Sequence, residues 1–329
     1  MPQNLVDNIR NKASRNPKRI TLPESNDDRT LEAVDYILDK KIAKVILIGK
    51  EEIVKKIRVK NLKDLELVNP ESHKDTERLI SEYYELRKHK GITLEEAKEA
   101  VEKDYVTFGA MLTRQGYADG LVAGASHTTP DVLRTALRCL PIDASIGVVS
   151  GAFLMVVSDS SYGEDGVFVF ADCGVNPEPN ARELAGIAAS SAGLFKQLVG
   201  KTPRAAILSY STKGSAKGPL VEKVREAVKT AKEISPGLII DGEFQVDSAI
   251  VPEVAKIKCP TSEVAGRANV LIFPNLDSGN ISYKLVQRLA RARAIGPVLL
   301  GFTKPASDLS RGCSPEDIID AVAITALRA

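Results

Sequence analysis

Three polar segments carry residue types that bind or transform anionic groups, and the first is GASHTTP (124–130). It follows a predicted strand and precedes a predicted helix. Its backbone N–H groups and hydroxyls therefore lie at a helix N-terminus, where a phosphate binds well. Thr129 is the predicted N-cap of this helix and Pro130 its predicted first residue. A well-capped turn explains the same residues, so the segment alone leaves both interpretations open.

The second segment, SYSTKGSAKG (209–218), runs from a predicted strand into a loop with three serines, two glycines and two lysines. Hydroxyls, amides and ammonium groups are donors that suit a second anionic group. A polar surface loop has the same composition. The segment alone therefore predicts either an anion site or an ordinary loop.

The third segment is DLSRGCSPED (308–317), which has the signature of a helix start. Ser314 is the predicted N-cap, a proline follows it, and Asp317 stands at the third helical position as a capping partner. Capping accounts for Asp317 as well as a chemical role does. It leaves Ser310 and Arg311, just ahead of a glycine, without a structural explanation.

Three further segments are weaker candidates. Arg87 begins RKHKG at a predicted helix C-terminus, where the helix dipole alone favours basic residues. DGEFQVDSA (241–249) follows a predicted strand, where α/β proteins place their sites. FPNLDSGNI (273–281) has the Asn, Asp and Gly content of any tight loop. Taken singly, none of these segments decides a function.

Short apolar runs alternate with amphipathic helical segments between these loops. Buried strands are predicted at Arg19–Pro23 and Lys44–Gly49, with a helix at Thr30–Lys40 between them. This rhythm predicts parallel strands that are joined by crossover helices and covered on both faces. Further predicted strands are Gly120–Ala125, Gly147–Ser158, Gly166–Asp172, Ala205–Tyr210, Leu238–Asp241, Val270–Phe273 and Val298–Gly301, and further helices are Leu79–His89, Leu94–Lys103, Pro130–Cys139, Asn180–Val199 and Ile318–Leu327.

The length of 329 residues predicts two domains at roughly 100–200 residues each. A break is predicted near Leu140–Ser145. The tail after the strand Val298–Gly301 is too short for a domain of its own, so we expect it to return to the first domain. The predicted domains are a discontinuous α/β domain, residues 1–144 plus 300–329, and a second α/β domain, residues 145–299.

Charge and composition exclude several classes of protein. A net charge of +2 lacks the basic excess of a nucleic-acid binder, and the absence of tryptophan argues against base stacking. No run approaches the roughly 18 apolar residues of a membrane helix. The four cysteines and three histidines lack zinc-site spacing, so no metal is expected. Scattered cysteines fit a reducing cytoplasm.

Motifs of several common enzyme classes are missing. There is no G-x-G-x-x-G fingerprint for dinucleotides and no G-x-S-x-G nucleophile elbow. Gly200-Lys201-Thr202 resembles the end of a phosphate-binding Walker A loop, but the glycine required five residues earlier is Phe195. Nicotinamide, ATP and serine-hydrolase functions are therefore disfavoured.

The polar segments are more specific in combination than alone. In chain order they are LPES, RKHKG, GASHTTPDVLR, STKGSA, DGEFQVDSA, FPNLDSGNISYKL and DLSRGCSPEDI. This order resembles the phosphate acetyltransferases (phosphotransacetylases), from about residue 19 to the C-terminus. The chain length is similar to that of the short, single-unit form of the family.

The resemblance implies two α/β/α domains with the site in the cleft between them, in an architecture like that of isocitrate and isopropylmalate dehydrogenases. It implies the reaction acetyl phosphate + CoA ⇌ acetyl-CoA + phosphate, by direct transfer in a ternary complex. Coenzyme A is then a substrate, and no cofactor is bound permanently. A homodimer and acetate kinase as pathway partner are also implied.

The resemblance further assigns roles to single residues. Asp317 is the expected base that takes the CoA thiol proton, and Ser310 and Arg311 are expected to hold the transferring acetyl phosphate. Arg87, Arg134 and Arg288 match family arginines that contribute to substrate binding. The remaining residues expected to bind substrate are Ser126, Thr128, Ser211, Lys213 and Gly214.

The chemistry of the reaction fits these residue types. A free thiol has a pKa of about 8.5, so a base in the site increases the supply of thiolate. Burial could bring the pKa of an Asp toward the working range. Attack on the acetyl carbonyl develops negative charge on oxygen, which a fixed guanidinium and a hydroxyl stabilise. Cys313 is expected to be a packed, unreactive thiol rather than a nucleophile.

Three alternatives remain open from the sequence. A phosphate butyryltransferase performs the same chemistry on a longer acyl chain, and one methylene changes binding by only ~1–3 kcal/mol. A dehydrogenase of the isocitrate or isopropylmalate type would need clustered aspartates for a divalent metal, and the sequence shows no such cluster. A non-catalytic acetyltransferase-like module is disfavoured by the intact set of Ser310, Arg311 and Asp317.

Overall fold

The computed structural model describes residues 3–58, 62–159 and 161–329. Contacts between Cα atoms divide the chain into two compact units. The split unit consists of Asp7–Pro141 and Phe302–Ala329. The middle unit consists of Ile142–Gly301, with which the start of the chain up to Val6 is grouped.

The split unit has a parallel sheet with strand order β3-β2-β1-β4-β11. Short helical turns follow β2 and α3. The strands are β1 (Arg19–Leu22), β2 (Lys44–Ile48), β3 (Leu65–Val68), β4 (Gly120–Ala123) and β11 (Ala306–Asp308). The helices are α1 (Gln3–Ser14, which begins before Asp7), α2 (Asp28–Asp39), α3 (Thr76–Arg87), α4 (Leu94–Lys103), α5 (Tyr105–Arg114), α6 (Thr129–Cys139) and α12 (Pro315–Arg328).

Helix α2 illustrates how the sequence forms these elements. The Asp27 side chain accepts a hydrogen bond from the Arg29 amide and so caps the helix start. Apolar residues then recur at helical spacing and place one face in the core. The helix buries Leu31, Val34, Ile37 and Leu38, as the periodicity predicts.

The middle unit has a mixed sheet with strand order β10-β5-β6-β9-β7-β8. Its strands are β5 (Ser150–Val156), β6 (Val167–Ala171), β7 (Ala205–Leu208), β8 (Ile240–Phe244), β9 (Val270–Ile272) and β10 (Arg293–Leu300). Its helices are α7 (Ala181–Val199), α8 (Pro219–Ile234), α9 (Val246–Ile250), α10 (Pro252–Lys258) and α11 (Leu276–Leu289).

The prediction of parallel strands is wrong for part of the middle unit. Strand β5 runs antiparallel to both β6 and β10, whereas β6, β9, β7 and β8 are parallel to one another. Only a short connection separates β5 from β6, too short for the crossover helix that a parallel pair requires. The mixed α/β class itself is confirmed.

Several predicted boundaries also change. The strand predicted at Leu238–Asp241 is observed at Ile240–Phe244, and the one predicted at Val298–Gly301 begins earlier, at Arg293. Strands β3 and β11 were not predicted. Strand β11 is only three residues long and contains Ser307 and Asp308, yet all three residues are buried.

Each unit has an apolar interior built from both faces of its sheet. The core of the middle unit is rich in aromatic side chains, which include Phe153, Phe168, Phe170, Phe244 and Phe273. In the split unit every residue of β4 is buried, which is typical of a central parallel strand. Within the described ranges, no helix has the length and apolar character needed to cross a membrane.

Candidate functional site

The turn between β11 and α12 (residues 309–314) contains Ser310 and Arg311, the two polar residues that helix capping leaves unexplained. The predicted helix start is confirmed, because Ser314 is the N-cap and forms a full capping box with Asp317. The Ser314 amide and hydroxyl each donate to Asp317 Oδ2 at 2.8 Å. The other carboxylate oxygen, Oδ1, accepts no hydrogen bond from the described residues, and Asp317 is partly exposed.

Ser310 and Arg311 lie at the exposed tip of this turn. The turn is closed by a hydrogen bond from the Cys313 amide to the Ser310 carbonyl at 2.8 Å. The Gly312 amide donates to Ser310 Oγ at 3.3 Å. The guanidinium of Arg311 forms no ion pair within the described part of the chain, so its charge is available to a ligand.

Arg29 fixes the backbone of this turn from the start of α2. Its Nη1 donates to the carbonyls of Arg311 at 2.8 Å and Cys313 at 2.9 Å. Its Nη2 donates to the Ala125 carbonyl at 2.7 Å and pairs with Asp27. No local pattern in the sequence indicates Arg29, because its partners lie almost three hundred positions away.

Cys313 lies within the turn but is unsuited to be a nucleophile. Burial raises the pKa of its thiol to about 11, with Arg29 opposing and nearby carboxylates adding to the shift. A thiol in this condition is protonated near neutral pH, and the thiolate is the reactive form. The structure thus supports the unreactive thiol expected from the sequence.

The backbone donors of the loop at residues 124–128 are occupied by a carboxylate of the chain itself. Glu24 Oε2 accepts from the amides of Gly124 at 2.8 Å and Ala125 at 2.7 Å. Glu24 Oε1 accepts from the amides of Ser126 at 2.7 Å and His127 at 3.1 Å, and lies 2.7 Å from His127 Nδ1. The sequence predicted free N–H groups here, and the structure assigns them to Glu24.

Glu24 is held as an anion by these donors. Burial by itself disfavours the charged form, but hydrogen bonds from His127 and the backbone outweigh it and lower the pKa of Glu24. The same contact raises the pKa of His127, while partial burial opposes the rise. Glu24 and His127 therefore form an ion pair when the imidazole is protonated.

The hydroxyls of this loop also have partners. Ser126 Oγ donates to Asp27 at 3.1 Å. Thr128 is the N-cap of α6, with its hydroxyl accepting from the Asp131 amide at 3.3 Å. The predicted cap at Thr129 is therefore wrong, because Thr129 is the first residue within the helix and its hydroxyl donates instead to Asp308.

A cavity of about 790 Å³ opens beside this loop. Its wall includes Ser126, His127 and Arg134, and Arg134 Nη1 lies 2.7 Å from Asp131 Oδ1. The wall carries both signs of charge, contributed by Glu24, Lys50, Glu71, Glu102, Lys103, Asp104, Asp131 and Arg138 among others. Arg87, the last residue of α3, is partly exposed and does not line this cavity.

The second predicted anion loop, residues 211–215, also binds a carboxylate of the chain. Glu243 Oε1 accepts from Ser211 Oγ at 2.9 Å and the Gly214 amide at 2.8 Å. Arg225 Nε donates to Glu243 Oε2 at 3.0 Å. Burial opposes ionisation of Glu243, yet Arg225, Gly214 and Ser211 help to lower its pKa to about 2. Lys213 pairs with Asp241.

The predicted site residues thus fall into separate groups. Ser310 and Arg311 lie in the turn before α12 and Asp317 in the first turn of that helix, and Ser126, Thr128 and Arg134 surround the start of α6 in the same unit. Arg29 connects the two groups. Ser211, Lys213 and Gly214 belong to the middle unit, as does Arg288, which is exposed in the last turn of α11.

Comparison with known proteins gives the class of this chain. Residues 4–326 match the sequence model described as phosphate acetyl/butaryl transferase. The chain is 51% identical to a phosphate acetyltransferase of Thermoanaerobacterium thermosaccharolyticum, over 99% of both chains. It therefore belongs to the phosphate acetyl/butaryl transferase family, and the resemblance noted from the sequence is confirmed.

Solved structures agree with this membership. A phosphotransacetylase from Streptococcus pyogenes superposes with a TM-score of 0.91 at 42% identity, covering 99% of this chain and 98% of that chain. A 4-hydroxythreonine-4-phosphate dehydrogenase from Klebsiella pneumoniae has a TM-score of 0.50 at 10% identity, over 93% of this chain and 97% of that one. The second likeness shows the fold alone and supports the predicted dehydrogenase-like architecture.

Proposed function

We propose that this chain is a phosphate acetyltransferase that moves an acetyl group between inorganic phosphate and coenzyme A by direct transfer in a ternary complex. The observation that carries the activity is the 51% identity to a phosphate acetyltransferase over nearly the whole chain. The exposed turn that presents Ser310, Arg311 and Asp317 together supports the mechanism.

In this mechanism Asp317 accepts the thiol proton of coenzyme A. Its Oδ2 is held by Ser314, which fixes the carboxylate, while Oδ1 remains available for the incoming S–H group. The sulfur then attacks the acetyl carbonyl carbon and forms a tetrahedral intermediate. The C–O bond to phosphate breaks, which leaves acetyl-CoA, phosphate and a protonated Asp317.

Arg311 and Ser310 stabilise the charge that develops during this attack. The guanidinium is unpaired among the described residues, and Arg29 holds the backbone that carries it. A donor that stabilises the charge of the transition state is worth about 10²–10³-fold in turnover. The Arg311 guanidinium also matches the bidentate geometry of a phosphate group.

Substrate binding extends this proposal to the residues that flank the turn. Arg134 and Ser126 line the cavity at the start of α6 and are proposed to contact substrate, together with Arg87, Arg288, Thr128, Ser211, Lys213 and Gly214. Because many of their polar groups already have partners, contact with substrate requires exchange of those hydrogen bonds. No cofactor beyond coenzyme A as a substrate is part of the proposal.

The proposed setting is a homodimer in the cytoplasm with acetate kinase as pathway partner. All four cysteines are free thiols, which fits a reducing compartment. Size-exclusion chromatography with light scattering tests the dimer, and a monomer at working concentration would remove it from the proposal.

The first experiment measures thioester formation by ultraviolet absorbance with purified protein, coenzyme A and acetyl phosphate, and with butyryl phosphate in parallel. Asp317→Asn should lower kcat by about 10²–10⁴-fold, the usual contribution of a general base. Arg311→Ala should lower it by about 10²–10³-fold. Asp317→Asn with near-normal turnover would remove Asp317 as the base.

A matched control separates catalysis from capping. Glu183 closes a capping box with Asn180 at the start of α7, as Asp317 does with Ser314. Glu183→Gln should weaken that helix start and leave turnover unchanged. A preference for butyryl phosphate would keep the mechanism and replace the proposed substrate.

A further inference from the structure

Asp308 is a buried carboxyl group that the proposed mechanism does not use. It is the last residue of β11 and has no exposed surface. Its Oδ2 accepts from Thr129 Oγ1 at 2.5 Å, and its Oδ1 has no hydrogen-bond partner among the described residues. A buried carboxyl with one unpaired oxygen is costly and calls for a functional explanation.

The backbone around Asp308 is packed against the loop that precedes α6. The Leu309 amide donates to the Ala123 carbonyl at 2.8 Å, which continues the β4–β11 pairing. At Gly124, where φ is +120°, a Cβ would lie 2.4 Å from the Leu309 carbonyl oxygen and 2.6 Å from Asp308 Oδ1. Only glycine permits this approach. The loop at residues 124–129 and the turn before α12 therefore meet directly at Asp308.

We propose that Asp308 is a positioning residue for acetyl transfer, whose carboxyl group binds Thr129 and thereby fixes the position of Ser310 and Arg311 relative to the start of α6. This inference rests on the proposed function. Ser310 and Arg311 follow Asp308 by two and three residues, so a shift at Asp308 is transmitted to them through a short stretch of backbone.

The surroundings of Asp308 favour the uncharged form. Among the described residues, Glu24 in the connection between β1 and α2 is the charged group that acts on Asp308. Helix α6 contributes the neutral Thr129, β4 contributes backbone, and α12 also packs against β11 but contributes no charged group to this effect. Burial, with a smaller contribution from Glu24 and against the opposing effect of Thr129, raises the pKa of Asp308 to about 7. An uncharged carboxyl also avoids repulsion of an anionic substrate held two residues away.

Small displacements near a reacting centre have large kinetic effects. A shift of about 1 Å in a positioned group costs on the order of a hundredfold in rate. A hydrogen bond between Thr129 and Asp308 links the side chains of α6 and β11, so its removal should lower turnover without removing a group that contacts substrate.

The test compares Thr129→Val, Thr129→Ser and Asp308→Ala in the assay with acetyl phosphate and coenzyme A. Thr129→Val and Asp308→Ala should lower kcat by about ten- to a hundredfold, with the KM for coenzyme A within about twofold of the original value. Thr129→Ser restores the hydroxyl and should recover most of kcat. Thr129→Val with full kcat would overturn the proposal.

Asp308→Asn tests the charge state. The amide is uncharged and still accepts from Thr129, so kcat at pH 6 should fall by only about threefold. The original protein should lose kcat/KM for acetyl phosphate as pH rises through about 7, and the Asn variant should lack this loss. A hundredfold loss in Asp308→Asn at pH 6 would show that an uncharged acceptor for Thr129 is not enough, and would overturn the proposal.

Thr325→Val is the matched control for loss of a buried hydrogen bond at β11. Thr325 of α12 bonds Ser307, the residue before Asp308, with 2.8 Å between the hydroxyl oxygens. This variant should keep kcat within about twofold, because its bond lies away from the turn. An equal loss of kcat in Thr325→Val and Thr129→Val would show that Asp308 contributes only to stability, and would overturn its positioning role.

Hydrogen exchange separates failure of this inference from failure of the proposed function. Thr129→Val should speed exchange of the Leu309 and Cys313 amides, which bond Ala123 and Ser310, in a protein with unchanged circular dichroism. If the original protein transferred no acetyl group, the proposed function would fail, while this exchange would still report the positioning. Unchanged exchange at both amides would overturn the positioning role.

Discussion

The loops at residues 124–128 and 211–215 look alike in sequence but hold their anions in different ways. Each was predicted to bind an anionic group, and each binds a glutamate of its own unit. Glu24 is bound by backbone amides and by His127, whose pKa this contact raises and whose charge depends on pH. Glu243 is bound by Arg225, whose charge is permanent, and by Ser211 and Gly214.

The two loops share a high content of hydrogen-bond donors, but they differ in how the binding of their carboxylate depends on pH. A carboxylate held by amides and a titratable ring loses part of its binding when the ring is neutral. A carboxylate held by arginine does not. The side chains of Ser310 and Arg311 are a third case, because they are exposed and neither donates to a carboxylate among the described residues.

The sharpest test of the comparison replaces each carboxylate by its amide. Glu24→Gln places an NH₂ group against at least one pair of N–H donors, and each buried donor left unpaired costs about 1–3 kcal/mol. We expect a loss of about 3 kcal/mol in the free energy of unfolding. Glu243→Gln keeps an acceptor for Ser211 and Gly214 and turns its NH₂ group toward Arg225, whose partly exposed guanidinium can move to solvent, so we expect a smaller loss of about 1 kcal/mol.

Urea unfolding with peptide-resolved hydrogen exchange measures both losses and assigns each to its loop. Glu24→Gln should speed exchange at the amides of Gly124–His127, and Glu243→Gln should have a smaller effect at Gly214. Equal losses, or a larger loss for Glu243→Gln, would contradict the ranking of the two loops.

The pH dependence of the two loops should differ as well. The raised pKa of His127 contributes stability below about pH 6.5, which is lost as pH rises through the folded-state pKa. The lowered pKa of Glu24 contributes stability above about pH 4.5, which is lost as pH falls through its folded-state pKa. Glu243 has a pKa of about 2 and a permanently charged partner, so its contribution to stability is lost only at acid pH.

Exchange at Gly124–His127, corrected for the intrinsic effect of pH, should therefore accelerate above the pKa of His127, while exchange at Gly214 stays constant. His127→Gln removes the titrating ring and should abolish the acceleration. Identical pH dependence at both loops would show that His127 does not control the binding of Glu24.

The smallest expected effect concerns the helix that follows the first loop. Thr128→Ala removes the N-cap of α6 and should cost about 1 kcal/mol. Because Glu24 is bound by amides that precede Thr128, exchange at Gly124 and Ala125 should change little. Thermal unfolding measures the cost, and loss of protection at Gly124 would show that cap and carboxylate site act as one unit.

The fold was predictable where buried elements produce continuous runs of apolar residues. Strands β1, β2 and β4 are continuous apolar runs because parallel strands are covered on both faces. Strand β3 was missed because it is partly exposed, and its Glu66 interrupts the apolar run. Strand β11 was missed because its buried residues include a serine and an aspartate, whose partners come from distant helices.

The site was predictable where the signal is local. The capping box of Ser314 and Asp317 depends on a spacing of three residues, which the sequence displays. Glu24 lies in the LPES segment, but its contacts with residues 124–127 follow from the pairing of β1 with β4. No local pattern reports such a contact, so the amides of that loop were predicted to be free.

The order of the two units along the chain has a consequence for synthesis. Strand β4 is fully buried and pairs with β1 on one edge and β11 on the other, but β11 and α12 are translated only after the whole of Ile142–Gly301. Until then the nascent split unit has an open, apolar strand edge, the kind of surface that pairs with other chains. The middle unit is therefore free to fold first on the ribosome, even though the larger part of the split unit is synthesised earlier.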